Sequence, residues 1–230
     1  MLVTKHAAPQ RSWVPVLALA GILVLELAVH QWGIWTGWTW IATATQLAMS
    51  LTATVIVALF TRGLIQVLGT VGMLGCFAGD LVPRFIVPPT TTLAIIAAFA
   101  MGQLFLVAAF WGHVDWRSPL TRWVGVLLSA YAIGLVVFLA LAPGVNESLL
   151  GPTALYAVLI VLMTTTASVN RLALLGAICF VASDSILATK LLGVFGPSLL
   201  QSSLLMGLYG LALLLLALGL VQLYRRTDGA

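Results

Sequence analysis

The sequence predicts an all-α protein, a polytopic membrane helix bundle of about eight transmembrane helices with N- and C-termini cytoplasmic, and three observations carry that prediction. Of its 230 residues, 62% are hydrophobic and only 7% are charged, with a mean hydropathy of +1.15, well beyond what a soluble core needs. Apolar runs of roughly 20 residues, the length that crosses a bilayer, recur along the chain. The Lys and Arg residues sit singly at the ends of those runs, where topology signals lie. The net charge of +4 and pI near 9.5 therefore imply no nucleic-acid partner.

Residues 1–12 read as a polar cytoplasmic tail with Lys5 and Arg11. The first span, 13–31, has Pro15 in its first turn, where a missing N–H does little harm, and Glu26 in its second half. It is too long for a signal-peptide core and lacks a small-residue cleavage site. Trp32, Trp35, Trp38 and Trp40 then predict a loop at the membrane–water boundary. The second span covers 41–60 and the third 63–82, ended by Pro83. In the third, Gly69, Gly72, Cys76 and Gly79 recur at helical spacing, a seam where a neighbouring backbone comes close, and Asp80 follows directly.

The fourth span, 91–111, carries Gln103 near its middle, and the most polar connection of the chain, 112–122, leads to a fifth at 123–141. The sixth, 152–168, holds Tyr156 and Met163; the seventh, 170–194, holds Ser183, Asp184, Ser185 and Lys190. An eighth at 198–224 precedes a short cytoplasmic tail, 225–230, with Arg225 and Arg226. One transmembrane domain, 13–224, thus lies between two tails. Cys76 and Cys179 fall inside apolar runs and read as packing residues, not as a disulfide framework.

With the N-terminus inside, eight of the ten Lys and Arg residues fall on the inner side, and only Arg84 and Lys190 on the outer. In that topology Glu26, Asp80 and Asp184 lie in the outer half of their spans, and so do Tyr156 and Ser202. Polar groups then gather in one leaflet, as around a cavity opening to one side.

A carboxylate at membrane depth costs a few kcal/mol and is kept where it faces other helices or a wet cavity, so Asp184 and Asp80 are the first candidates for chemistry. Each has a plainer reading. Asp80 pairs with Arg84 four residues on, or Asp184 is satisfied by serines and backbone. Glu26 serves equally as a structural hydrogen-bond partner or a functional group. Ser183 and Lys190 share a helical face, but about 10 Å of axial rise separates them, which argues against a nucleophile–base pair. Lys190 reads better as a snorkelling or phosphate-facing cation. His113 sits in a loop with no zinc-type spacing, and neither a metal nor a cofactor is expected.

The runs LGCFAGDLV at 74–82, MGQLFLVAAFW at 101–111, YAVLIVLM at 156–163 and GAICFVASDSILATK at 176–190 resemble the YhhN family of membrane lysoplasmalogenases. The resemblance implies an eight-span hydrolase that cleaves the vinyl ether of lysoplasmalogens to a fatty aldehyde and a glycerophospho-base. It matches Asp80 and Asp184 to the family's two aspartates and implies that Tyr156, Met163 and Ser183 line the pocket, with Ser185 and Tyr209 near it. Charge and depth suggest Arg84 or Lys190 for the lipid phosphate. Where many relatives carry a histidine and then a tyrosine in the fourth helix, this chain has Ala108, Ala109 and Trp111.

The chemistry asks for two carboxyls, one to protonate the enol ether on carbon and one to stabilise the cation and activate water, as in glycosidases. The expected partners are a lysophospholipid or ether-lipid substrate and membrane lipids. The alternative reading is a small proton-coupled transporter or a lipid-binding membrane protein without hydrolase activity. Transport favours helices broken at midplane, whereas the prolines here lie near span ends.

Overall fold

Pro15 sets the first turn of α1 (Val14–Thr36), and Gly37 ends the helix at φ +76°, where the N–H groups of Gly37 and Trp38 close on the carbonyls of Ile34 and Gly33. Only Gly37 and Trp38 separate α1 from α2 (Thr39–Phe60) in this computed structural model, which describes residues 12–87, 90–196 and 198–228. The expected tryptophan loop is therefore not a loop. Trp32 and Trp35 belong to α1 and Trp40 to α2, because a left-handed glycine lets the chain reverse with almost no connection. The indoles still face outward, Trp35 at 58% and Trp40 at 68% exposure.

α3 (Gly63–Leu81) continues through a 3-10 turn at Val82–Arg84, and α4 (Thr91–Trp111) returns beside it. α5 (Pro119–Leu141), α6 (Leu150–Thr166), α7 (Arg171–Leu191) and α8 (Leu199–Asp228) complete the order. α5 starts at Pro119, earlier than expected, because proline fits the first helical turn. α8 runs on through Arg225 and Arg226 in its last turn, so the expected tail from 225 is helical up to Asp228. The readings of Lys5 and Arg11 lie outside the described residues. No strand occurs among the described residues, and eight helices are long and apolar enough to cross a membrane. This is an integral, multi-pass membrane protein.

α8 is the most enclosed helix and packs on α7, α1, α2 and α3, whereas α5 rests mainly on α6 and exposes most of its length. Arg225 donates to the Ser12 carbonyl at 3.1 Å and stacks over Trp13, so the start of α1 and the end of α8 lie at one end of the bundle. The glycine seam of α3 divides its contacts. A Cβ at Gly69 would meet Val57 of α2, while those at Gly72 and Gly79 would meet Leu106 and Phe99 of α4. The closest approach is at Gly75, absent from the expected seam, where a Cβ would lie 2.4 Å from the Gly102 Cα.

Asn170 ties α7 to α8. Its Oδ1 caps the helix by accepting from the Ala173 N–H at 2.9 Å, and its Nδ2 donates to the Gly219 carbonyl at 3.0 Å, with the side chain buried. Asn170→Ala is expected to cost about 2 kcal/mol, the sum of a cap and a buried acceptor left unpaired. Asn170→Ser, which keeps the cap alone, should recover about half of that loss. Thermal unfolding in detergent measures both.

Candidate functional site

Six helices contribute to one cavity of about 510 Å³, at the end of the bundle opposite the start of α1 and the end of α8. α1, α3 and α7 finish there, and α2, α4 and α8 begin there. Asp80 and Asp184 both stand in its wall, and Arg84 and Lys190, both exposed, lie at its rim. The volume falls in the range of small-molecule sites.

Asp80 occupies the last turn of α3, because Pro83 sits in the following 3-10 turn, where it breaks no bond of that helix. Its carboxylate is 3% exposed and fully engaged: Tyr209 donates to Oδ2 at 2.7 Å and Gln46 of α2 to Oδ1 at 2.9 Å. Arg84 does not meet Asp80 as the direct ion pair of the plainer reading. It donates to Gln46 Oε1 at 3.3 Å, so the amide relays the cation to the carboxylate. Tyr209 is held by two aromatic edges, Phe99 at 6.1 Å and Phe180 at 5.8 Å, and those rings are themselves 6.2 Å apart.

Asp184 is 7% exposed and accepts from Tyr156 of α6 at 2.5 Å through Oδ2. Its Oδ1 takes no hydrogen bond among the described residues. The flanking serines anchor the helix on opposite sides. Ser183 lines the cavity and donates to the Leu205 carbonyl of α8 at 3.0 Å. Ser185 donates to the Val181 carbonyl at 2.7 Å and accepts from Tyr131 of α5 at 2.8 Å, facing a smaller apolar recess that reaches Asp184 from the α5–α6 side.

The other sequence candidates separate in space. Tyr209, Ser183, Arg84 and Lys190 line the cavity, whereas Tyr156 borders the smaller recesses and touches the site only through Asp184. Met163 is fully buried in the core cluster and is not in the cavity wall. Glu26 accepts from Thr52 of α2 at 2.9 Å and lies outside the wall. Gln103 is fully buried, with neither amide atom paired among the described residues.

Sequence reasoning missed Gln46, Phe99, Phe180 and His30. Gln46 and His30 were visible as polar residues at membrane depth; the two phenylalanines gave no signal among so many apolar neighbours. Among the described residues, no three His, Cys, Asp or Glu side chains group in a way that would hold a metal ion. The arrangement offers two carboxyls, one enclosed by donors and one with an uncommitted oxygen, in a largely apolar cavity with a cationic rim.

A membrane-embedded helix bundle with paired acids around a cavity at one end is the class these features define. The chain belongs to the YhhN family, whose model matches residues 38–220, from the start of α2 through most of α8. α1, with Glu26 and His30, lies outside that match. No curated protein and no solved structure matches the chain.

Proposed function

We propose that this protein is a membrane hydrolase that cleaves the vinyl ether of lysoplasmalogens, releasing a fatty aldehyde and a glycerophospho-base. The observation that carries the reading is that Asp80 and Asp184 share the wall of one cavity whose rim bears Arg84 and Lys190. An amphiphile with an anionic head fits that pattern, its phosphate at the cations and its alkenyl ether at the acids. With both termini cytoplasmic, the cavity faces the outer leaflet.

Asp184, whose Oδ1 is uncommitted, gives its proton to the alkenyl carbon remote from the ether oxygen. The C=C electron pair forms the new C–H bond, and the ether oxygen shares the positive charge with the adjacent carbon. Asp80, held by Tyr209 and Gln46, faces that cation as a carboxylate and takes a proton from water as the water oxygen bonds to the carbon. Asp184, now a carboxylate, then takes the hemiacetal hydroxyl proton as the C=O bond forms, the carbon–oxygen bond to glycerol breaks, and Asp80 gives the proton it took from water to the leaving glycerol oxygen, which restores both acids. Aldehyde release from a purified sample given a 1-alkenyl lysophospholipid tests the reading, and fatty-acid release from ester lysolipids with no aldehyde from the alkenyl substrate overturns it.

Lys190→Gln removes one rim charge without touching either acid. KM for a phospholipid substrate is expected to rise about fivefold with kcat kept, a loss on the scale of one partly exposed charged hydrogen bond. An alkenyl glycerol that lacks the phosphate should show no change. Steady-state kinetics on the two substrates separates a phosphate contact from a general loss of structure.

A further inference from the structure

Gln46 of α2 lies in the cavity wall between the exposed rim and the buried acid. Its Nε2 donates to Asp80 Oδ1 at 2.9 Å, and its Oε1 accepts from the Arg84 guanidinium at 3.3 Å. Those two partners fix which way the amide points. Turned by half a rotation, it would set Nε2 against the guanidinium, donor to donor, and Oε1 against the carboxylate, acceptor to acceptor. The contact with Arg84 is therefore what keeps an N–H directed at Asp80.

The two donors to Asp80 differ in kind. The Tyr209 hydroxyl, 2.7 Å from Oδ2, can donate or accept, so it stays paired in either state of the acid. The Gln46 N–H₂ can only donate and is a partner for the carboxylate alone, the form that takes a proton from water in the proposed cycle. Arg84 ends the 3-10 turn Val82–Arg84, one turn beyond Asp80, so cation, amide and acid close a short circuit between α2 and the end of α3. One guanidinium N–H faces Gln46, and the others are left for a phosphate.

We infer that Gln46 and Arg84 are positioning residues for Asp80: Arg84 orients the Gln46 amide, and the amide holds the acid's Oδ1 as an acceptor. Arg84 then serves turnover through Gln46, besides any contact with a phosphate. The inference deepens the hydrolase reading, and its kinetic form rests on that reading.

Steady-state aldehyde release from a 1-alkenyl lysophospholipid and from a phosphate-free alkenyl glycerol tests it. In Arg84→Met, kcat is expected to fall about tenfold on both substrates, the scale of one hydrogen bond to a charged group. A phosphate anchor alone would raise KM for the phospholipid and leave the other substrate unchanged. Gln46→Leu should lower kcat by a similar factor, and adding Arg84→Met to it should cost less than about twofold more, because the path is already cut. Arg84→Lys, which returns one donor, should recover part of the loss. Should Gln46→Leu not fold, Gln46→Asn, one carbon too short to reach both partners, takes its place. Infrared spectroscopy reads the same link without turnover. The carboxylate stretch that disappears in Asp80→Asn should shift in Arg84→Met, and should not shift further when Arg84→Met is added to Gln46→Leu.

The inference is overturned if Arg84→Met changes KM alone, if the two losses multiply in the double variant, or if Arg84→Lys is no better than Arg84→Met and both unfold earlier than the wild type. Any of these with aldehyde released by the wild type leaves the hydrolase reading standing. An Asp80 band that shifts through Gln46, without aldehyde release from the wild type, keeps the link and removes the hydrolase reading. Neither shift nor release removes both.

Discussion

Asp184→Asn is expected to lower aldehyde release from a 1-alkenyl lysophospholipid by about 10³-fold, within the range contributed by a positioned general acid. The amide has nearly the size of the carboxyl, and its oxygen can still accept from Tyr156, so the 2.5 Å contact that sets the side chain survives. What is lost is the proton. Carbon protonation of the enol ether then lacks its carboxylic acid, and the barrier rises in the first step. Asp80→Asn is expected to be equally inactive and also less stable. Both oxygens of Asp80 accept from donors, Tyr209 and Gln46, and an amide must turn its own N–H₂ toward one of them. That mismatch leaves a buried donor unpaired, at about 1–3 kcal/mol. A coupled aldehyde assay on variants matched for thermal unfolding makes the comparison, and activity within tenfold of wild type in both would sink the two-carboxyl mechanism.

The second large effect is on folding. Gly75→Ala would set a methyl carbon 2.4 Å from the Gly102 Cα and 2.5 Å from its nitrogen. Both are backbone atoms on α4, so no rotamer change relieves the overlap and the helices must separate. Separation also loosens Gly72 against Leu106 and Gly79 against Phe99. Phe99 in turn braces Tyr209, the donor to Asp80, so the damage reaches the site. A loss of about 3 kcal/mol or more is expected, at the upper end for overpacking, because rigid elements must move. Gly134→Ala in α5, where nothing lies within 4 Å, is the control and should be neutral or slightly stabilising. Thermal unfolding of the pair in detergent checks this, with a coincident loss of aldehyde release expected for Gly75→Ala alone.

Much of the architecture was legible because bilayer physics writes it into one dimension. A span needs about 20 apolar residues whatever it packs against, so the eight runs, their order and most of their ends followed from hydropathy and proline placement. The errors fell where local geometry decides. Gly37 in the left-handed region replaced the expected tryptophan loop by a two-residue link, and Pro119 began α5 a turn early. The three-residue glycine periodicity marked a close face on α3, but not that Gly75 carries the tightest contact, which depends on Gly102 lying opposite it on another helix.

For the site, the sequence by itself determined which groups are costly enough at membrane depth to require a partner: Asp80, Asp184, Glu26 and the cations at the span ends. It also fixed their depth, because rise per residue is constant along a helix. Azimuth is different, since it depends on how each helix is rotated against neighbours distant in the chain. Only the tertiary structure turned Asp80 and Asp184 toward one cavity and Glu26 toward Thr52, took Met163 into the core, and brought Gln46 between Arg84 and Asp80. Packing of side chains across helices sets those rotations, and no single span contains the information.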